Sequence, residues 1–178
     1  MRRAALLVLV PMLFSLSARA ADEIFLLNVP GISGDVTLKD FPGWISVTSF
    51  SESFANGGAR GAGTGAGRRI GCQELRIVKP LDVTSPELTM AVASGHLYHT
   101  ITLVALRTAG DVPQEFLRFT LSNALFTSVA FAGNSDASAR TESLEVRPTR
   151  VEVRYTPQRA DGGLGAPVST SVDCGSIF

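Results

Sequence analysis

Residues 115–125, with the sequence EFLRFTLSNAL, decide the fold class of this chain. Apolar side chains recur there at even spacing, and polar side chains stand between them. The apolar positions are Leu117, Phe119, Leu121 and Leu125, and the polar positions are Arg118, Thr120 and Ser122. A period of two is typical of a β-strand with one face on a hydrophobic core and the other toward solvent. The stretch therefore predicts a half-buried strand with Leu125 on its apolar face.

Further strand patterns follow one another along the rest of the chain. They lie at residues 23–29, 44–54, 70–78, 99–107, 141–155 and 168–174. Within residues 44–54 the apolar positions change face, with Ile45 and Val47 on one side and Phe50 on the other. Such a change predicts a β-bulge or a strong bend. Short strands with turn signals between them favour a sandwich or a closed barrel.

One segment departs from this β pattern. Ser85 can cap a helix, Pro86 suits its first turn, and Gly95 is a natural C-terminal stop. Between them an apolar stripe with helical spacing is formed by Leu88, Ala91 and Val92. We therefore expect one short helix over residues 86–94, in a single domain that is otherwise β.

The first twenty residues have the pattern of a secretory signal peptide. Arg2 and Arg3 form a basic start, an apolar run follows, and an A-x-A tripeptide ends at Ala20. The run is too short for a membrane anchor, which needs about 20 apolar residues. We expect a signal peptide over residues 1–20, cleavage between Ala20 and Ala21, and a mature domain over residues 21–178.

The charge balance gives no sign of a nucleic-acid or membrane partner. The whole chain has 16 basic and 16 acidic residues, and loss of Arg2, Arg3 and Arg19 with the signal leaves a net charge of −3. A mature chain of that charge has no basic footprint for nucleic acid and no polybasic patch for anionic lipid.

The two cysteines, Cys72 and Cys174, allow two interpretations. In an oxidising compartment an even number of cysteines favours a single disulfide, here closing a loop of about 100 residues. The alternative is a pair of buried free thiols that act as small hydrophobic residues.

A glycine-rich stretch over residues 55–69 predicts a long loop between two strands. Its spacing matches neither a dinucleotide-binding fingerprint nor a P-loop. The loop is therefore either an arm that contacts a partner or a plain loop tip. The residues of such an arm would be Gly61, Gly63, Gly65, Gly67, Arg68 and Arg69.

The sequence offers no positive sign of an enzyme, a metal site or a cofactor. His96 and His99 are the only histidines, and they lack zinc-ligand spacing relative to the cysteines. A nucleophile elbow of the type G-x-S-x-G is also absent from the sequence. We expect no catalytic residues, no metal and no cofactor.

Four stretches, taken in order, resemble the Hcp family, the haemolysin-coregulated tube proteins of bacterial type VI secretion. The first runs from the strand at Cys72 through Lys79 to the helix entry at residues 84–88, TSPEL. The helix exit at residues 93–96, ASGH, and the strand end at residues 107–110, RTAG, follow. The most specific stretch is residues 155–162, YTPQRADG. The resemblance covers nearly all of the chain from Asp22 to Cys174.

The resemblance implies a fold and a function. The family's fold is two antiparallel sheets forming a small β-barrel with one helix at its side. Its members form hexameric rings that stack into a tube, carry a spike at the tip and hold small effectors in the lumen, without enzymatic activity. The family's aromatic-Ser-aromatic motif matches Phe50, Ser51 and Glu52, which implies a lumen or cargo contact at Ser51. The glycine-rich stretch matches the long loop that reaches toward the adjacent ring.

This chain departs from the family pattern in several places. Glu52 replaces the second aromatic residue of the motif, and both cysteines stand at or near positions where the family usually has apolar strand residues. Tube subunits assemble in the cytoplasm and need no signal peptide. The signal therefore supports an alternative, a disulfide-stapled binding module in the periplasm or outside the cell that has lost tube assembly.

Overall fold

The computed structural model describes residues 23–56, 70–109, 112–133 and 140–175 of the chain. In chain order the elements are β1 (Glu23–Asn28), β2 (Ile45–Val47), β3 (Ser49–Ser51), β4 (Phe54–Asn56), β5 (Ile70–Cys72), β6 (Leu75–Pro80), α1 (Ser85–Ser94), β7 (Tyr98–Ala109), β8 (Val112–Ala132), β9 (Thr141–Tyr155) and β10 (Val168–Asp173). The mainly β class with one short helix is confirmed. Within the described ranges, no helix is long and apolar enough to span a bilayer.

Eight of these strands form one antiparallel sheet with the order β2-β1-β7-β8-β9-β6-β3 and with β10 paired to β9. The long strands β8 and β9 run through both halves of this sheet. The first half of β9 pairs with β6, and its second half pairs with β10. The two sheets expected from the family resemblance are thus two halves of one curved sheet. Strands β4 and β5 form a separate two-stranded pair.

The sheet curls into a nearly closed barrel because its two end strands are neighbours in sequence. β2 pairs with β1 at one end of the order and β3 pairs with β6 at the other, and only Thr48 lies between β2 and β3. The backbone N–H of Thr48 donates to the carbonyl of Val78 at 2.8 Å. The bend predicted within residues 44–54 is therefore the corner at which the chain crosses between the two ends of the sheet.

The expectation that Leu125 shares the apolar face of β8 is wrong. Asn123 adopts a left-handed backbone conformation with a φ of 45°, and the alternation of the strand changes at that point. Ala124 and Phe126 are buried beyond it, whereas Leu125 is only partly buried. The strand then continues through a bulge between Phe126 and Ser128 as far as Ala132.

Two other boundaries differ from the sequence expectation. The strand expected at residues 70–78 is broken at Gln73 and Glu74, so that β5 and β6 belong to different sheets. Helix α1 begins one residue early, because Ser85 lies inside the first turn and Thr84 takes the N-cap position without a side-chain cap. The expected stop is confirmed, since Gly95 ends the helix with a φ of 61°.

The barrel encloses the main hydrophobic core. Its fully buried members include Leu27 from β1, Ile45 from β2, Leu75 from β6 and Leu121 from β8, and Leu88 of α1 covers one side. A smaller cluster lies on the opposite face of β1 and β7, where Leu26, Val104 and Leu106 are covered by side chains of the loop before β2. The covering side chains are Val36, Leu38, Phe41 and Trp44.

Candidate functional site

Ser51 lies on the outer face of β3, close to the barrel corner. Its side chain is exposed, and its Cα partner on β6 is Arg76. Arg76 forms an ion pair with Glu145 of β9 at 2.6 Å, so that a polar row crosses three strands. The preceding residue, Phe50, points the other way and packs edge-on against Phe25 and Phe119 at ring distances of 5.2 and 5.6 Å. The packing of Phe50 fixes Ser51 toward the outside of the barrel.

Glu52 places a carboxylate where its neighbours bury apolar groups. It follows Phe50 by two residues, and both of its carboxylate oxygens are buried, with no hydrogen bond of ordinary geometry from a described residue and only a weak contact with the Ser53 amide. Burial raises the pKa of Glu52 to about 7, and the backbone amide of Ser53 opposes this shift only in part. A carboxyl group at this position is therefore poised to change charge near neutral pH.

The charged side chains of the facing strand β6 and the residue before it are all engaged elsewhere. Arg76 pairs with Glu145, and Glu74 accepts a hydrogen bond from Arg147. Lys79 contacts two other carboxylates. Among the described residues, these charged groups therefore pair with partners other than Glu52.

The predicted disulfide is confirmed. Cys72, at the end of β5, is bonded to Cys174, which directly follows β10, with a Cα–Cα distance of 5.0 Å and a sequence separation of 102. Both cysteines are partly buried and pack against the main core. Among the described residues the chain has no free cysteine, so the alternative of two buried thiols is wrong.

A buried polar network stabilises the entry to helix α1. The Nζ of Lys79 lies 2.6 Å from Oε1 of Glu142 and 2.8 Å from Oδ1 of Asp82, and it also donates to the Pro80 carbonyl. The Ser85 hydroxyl donates to the same Glu142 oxygen at 3.0 Å. Burial alone would raise the pKa of Asp82, but hydrogen bonds from Lys79 and Thr84 outweigh it and hold the pKa below its ordinary value.

This network gives a structural role to Lys79 and to the helix entry at residues 84–88, which both belong to the first of the four family-like stretches. Sequence patterns alone did not reveal Glu142, because it lies 63 residues from Lys79 and belongs to another strand. Lys79 and Glu142 are both fully buried, so neither is accessible to a substrate. The network joins β6, β9 and α1, and its role is structural.

The stretch YTPQRADG forms a turn closed by its own hydrogen bonds. Asp161 accepts a hydrogen bond from the amide of Gly163 at 2.9 Å and pairs with Arg159 at 3.3 Å. The amide of Gly165 donates to the Pro157 carbonyl, and Gly162 has a φ of 82°. The turn presents Tyr155 and the nearby Leu164 at the surface, 46% and 38% exposed.

Both histidines lie at the surface of the described structure. His96 is exposed and stacks edge-on against Tyr98 at 4.6 Å, and His99 is exposed on β7. In the part of the chain that the structure describes, no three potential metal ligands lie together. The two cysteines are bonded to each other and cannot act as ligands.

Several residues predicted from the sequence lie outside the described residues. They are the cleavage pair Ala20 and Ala21 and the proposed ring-contact residues Gly61, Gly63, Gly65, Gly67, Arg68 and Arg69. The structure does place the two ends of the glycine-rich stretch together, because β4 pairs with β5 directly before and after it.

Strand β10 offers an open edge. It pairs with β9 on one side, and no described strand is hydrogen-bonded along its other side, although β5 contacts β10 near the disulfide. Val168 at its start is 68% exposed and stands opposite the half-exposed Tyr155. An uncovered strand edge with exposed apolar side chains is suited to association with another chain. The described surface thus offers edges and faces that are suited to binding.

Comparison with known proteins gives one family. Residues 26–155 match the family model described as "Type VI secretion system effector, Hcp". A curated relative, Protein hcp1 of Pseudomonas aeruginosa, is 34% identical over 101 residues, which cover 56% of this chain and 62% of that protein. The matched segment thus spans less than two thirds of that relative's length.

Solved structures show the same fold. Hcp1 from Salmonella typhimurium superposes with a TM-score of 0.70 at 23% identity, covering 85% of this chain and 94% of its own. A structure described as a type six secretion system protein gives a TM-score of 0.73 at 21% identity, with coverages of 83% and 92%. At these identities the likeness establishes the architecture alone.

Proposed function

This chain belongs to the Hcp family of the type VI secretion system, and we propose that it is a non-enzymatic structural subunit that forms hexameric rings. These rings stack into a tube that holds small effector proteins in its lumen and carries a spike at its tip. The glycine-rich stretch contacts the adjacent ring, and Ser51 faces the lumen. In this proposal the first twenty residues are a signal peptide that directs the chain out of the cytoplasm.

The open edge of β10 is the observation that carries the proposal. A ring requires each subunit to offer two different surfaces that fit each other, since head-to-tail contacts close only in that way. The outer edge of β10, together with the adjoining sheet surface that exposes Val168 and Tyr155, is one such surface. A monomer that worked alone would leave this edge exposed to unwanted pairing.

The polar face that carries Ser51 supports the assignment of a lumen surface. Ser51, Arg76 and Glu145 form a row of hydroxyl and paired charged groups on three neighbouring strands. A surface of this kind stays hydrated and binds cargo through adaptable polar contacts. The family's second aromatic residue is Glu52 here, and its buried carboxylate adds no apolar contact for cargo.

Electron microscopy of the purified protein, with the leader removed, tests the proposal. We expect closed rings in negative stain, with short stacks at high concentration. A variant with Val168→Asp and Tyr155→Asp charges the β10 edge and should abolish the rings, while Leu81→Asp, at an exposed apolar residue beyond β6, should leave them intact. A strictly monomeric protein at high concentration would refute the ring proposal.

The disulfide favours a second candidate function. An exported, disulfide-stapled module in the periplasm or outside the cell would keep the barrel and bind a ligand or partner without forming a tube. The covalent link between β5 and the end of β10 is the specific observation in its favour, because disulfides persist in oxidising compartments. Fractionation of cells with and without a working type VI apparatus tests this candidate. We expect the module to leave the cytoplasm equally in both strains, and export that depends on the apparatus would reject it.

A further inference from the structure

The Cys72–Cys174 disulfide joins two parts of the molecule at the margin of the main sheet. Strands β4 and β5 pair with each other and, among the described residues, with no strand of the main sheet. Strand β10 pairs with β9 alone, and five of its six residues are exposed. The disulfide is the covalent connection between these two parts.

Among the described residues, both cysteines pack against the main core, and the polar contacts around the disulfide lie at the surface. The amide of Cys174 donates to the Thr149 carbonyl at 2.8 Å, and Arg150 pairs with Asp173 at 3.0 Å. Arg150 and Asp173 are half exposed or more, and exposed ion pairs contribute little to stability. Opposite Cys72, Phe54 is 39% exposed and so buries only part of its ring. Without the disulfide, no covalent bond and no strand pairing among the described residues joins β4 and β5 to β10.

The buried carboxylate of Glu52 favours movement of the link between β3 and β4 away from the barrel. Glu52 lies in this link, and both of its carboxylate oxygens are buried with no hydrogen bond of ordinary geometry from a described residue. A buried carboxylate without a hydrogen bond is costly, and it regains water when the link moves away from the barrel. The closed position of the β4–β5 pair therefore depends on a constraint that opposes this tendency.

We propose that the Cys72–Cys174 disulfide is a redox-controlled latch that holds the β4–β5 pair against the end of β10. With the bond formed, the pair and the β10 edge are fixed and present one surface. With the bond reduced, the pair and the last residues of β10 separate from the barrel while the core formed by β6–β9 stays folded. The latch closes when the chain reaches an oxidising compartment.

The redox step is a thiol–disulfide exchange. A dithiol reductant transfers two electrons to the Cys72–Cys174 bond, the S–S bond breaks, and each sulfur takes up a proton to become a thiol. The reductant's two thiols are oxidised to a disulfide in return. The reverse exchange with a disulfide oxidant outside the cytoplasm closes the latch.

The latch has a consequence for assembly, and this part rests on the proposed ring function. The β4–β5 pair supports both ends of the glycine-rich stretch, which is proposed to contact the adjacent ring. An open latch leaves both this support and the β10 edge unfixed, so ring assembly requires the oxidised form.

Hydrogen–deuterium exchange of the purified protein, oxidised and reduced with a dithiol, tests the latch without reference to assembly. We expect exchange of β4, β5 and β10 amides to become about tenfold faster or more on reduction, with β8 and α1 unchanged. The variant Cys72→Ser/Cys174→Ser should match the reduced form under both conditions. Equal exchange in both forms, or acceleration throughout β8 and β9 as well, would overturn the latch.

Sedimentation of the same samples separates the latch from the ring function. Rings from the oxidised protein and monomers from the reduced protein and the double variant are the expected result. If the exchange pattern is as expected but no form makes rings, the ring function fails and the latch stands. If all forms make rings equally, the ring function stands and redox control of assembly is rejected.

Discussion

The ammonium group of Lys79 and the carboxylate of Glu142 lie 2.6 Å apart in the interior of the protein, and both side chains are completely buried. The pair connects β6 to the start of β9, and the Ser85 hydroxyl attaches helix α1 to the same carboxylate. The helix is therefore positioned by buried polar contacts as well as by Leu88 in the core. Removal of one member of such a pair leaves the other as an uncompensated buried charge.

We expect Lys79→Met to lower the free energy of unfolding by about 3–5 kcal/mol, because it leaves the buried Glu142 carboxylate without a cation. Glu142→Gln should cost less, since Lys79 keeps its contact with Asp82 at 2.8 Å. The double variant Lys79→Met/Glu142→Gln should lose less free energy of unfolding than the sum of the losses of the two single variants. Urea denaturation of the four proteins measures this coupling, and strict additivity would show that the pair does not act as a unit.

Glu52→Gln should stabilise the protein above pH 7 by about 1–2 kcal/mol, allowing for the partial exposure of the side chain. The native pKa of Glu52 is about 7, above the ordinary value of 4.5 for the unfolded chain. The native state therefore binds more protons between these pH values, and the wild-type free energy of unfolding falls as pH rises from about 4.5 to 7.

Denaturation at several pH values measures this effect. The stability difference between Glu52→Gln and wild type should be small below pH 4.5, grow as pH rises, and level off above pH 7. The matched control is Glu152→Gln, at an exposed glutamate of β9, which should follow the wild-type profile. A Glu52→Gln profile parallel to that of the wild type would contradict the assignment of a buried carboxyl group.

Gly34→Ala should destabilise the protein by about 2 kcal/mol or more through a backbone clash. A Cβ at this position would lie 2.4 Å from the Trp44 carbonyl oxygen, and backbone atoms cannot move aside as a side chain does. Gly133→Ala is the control, because its Cβ would meet only Arg140 at an ordinary 3.9 Å. Thermal denaturation distinguishes the two, and a neutral Gly34→Ala would show that the loop covering Leu26 and Val104 is not held tightly.

Cleavage of the leader is tested by the N-terminus of the exported protein. We expect it to begin at Ala21, because the A-x-A tripeptide ends at Ala20. Ala20→Asp should block processing and leave the longer form in the membrane fraction, whereas Ala21→Ser should be processed normally. Mass spectrometry of the periplasmic fraction gives the result, and an exported protein that keeps Met1 would contradict the prediction.

The β class, the helix and the barrel corner were predictable because they depend on local patterns. Polar and apolar alternation, the Pro86 start and the Gly95 stop are all short-range signals, and the change of face after Val47 marks the point where the chain crosses the barrel. The stretch at residues 155–162 was recognisable from its resemblance to the family's sequence. The disulfide was one of two interpretations of the cysteines that the sequence allowed. The choice between them required the fold, which places Cys72 next to Cys174.

Other features could not be predicted, because they depend on partners far away in sequence or on single backbone angles. The role of Glu142 follows from its position opposite Lys79, which only the register of β6 and β9 defines. At Asn123 the buried positions of β8 change from odd-numbered to even-numbered residues. This change depends on a left-handed backbone conformation that the pattern of polar and apolar residues does not show. The burial of Glu52 could not be predicted, because a glutamate side chain is ordinarily expected at the surface.

The central claim, that this Hcp-family chain is a ring-forming structural subunit, is tested most directly by native mass spectrometry of the oxidised protein with its leader removed. The account predicts a dominant species with the mass of a homo-hexamer, which dissociates to monomers when the β10 edge is charged by Val168→Asp and Tyr155→Asp. A monomer that persists at the highest concentration measurable, with the disulfide intact, would contradict it.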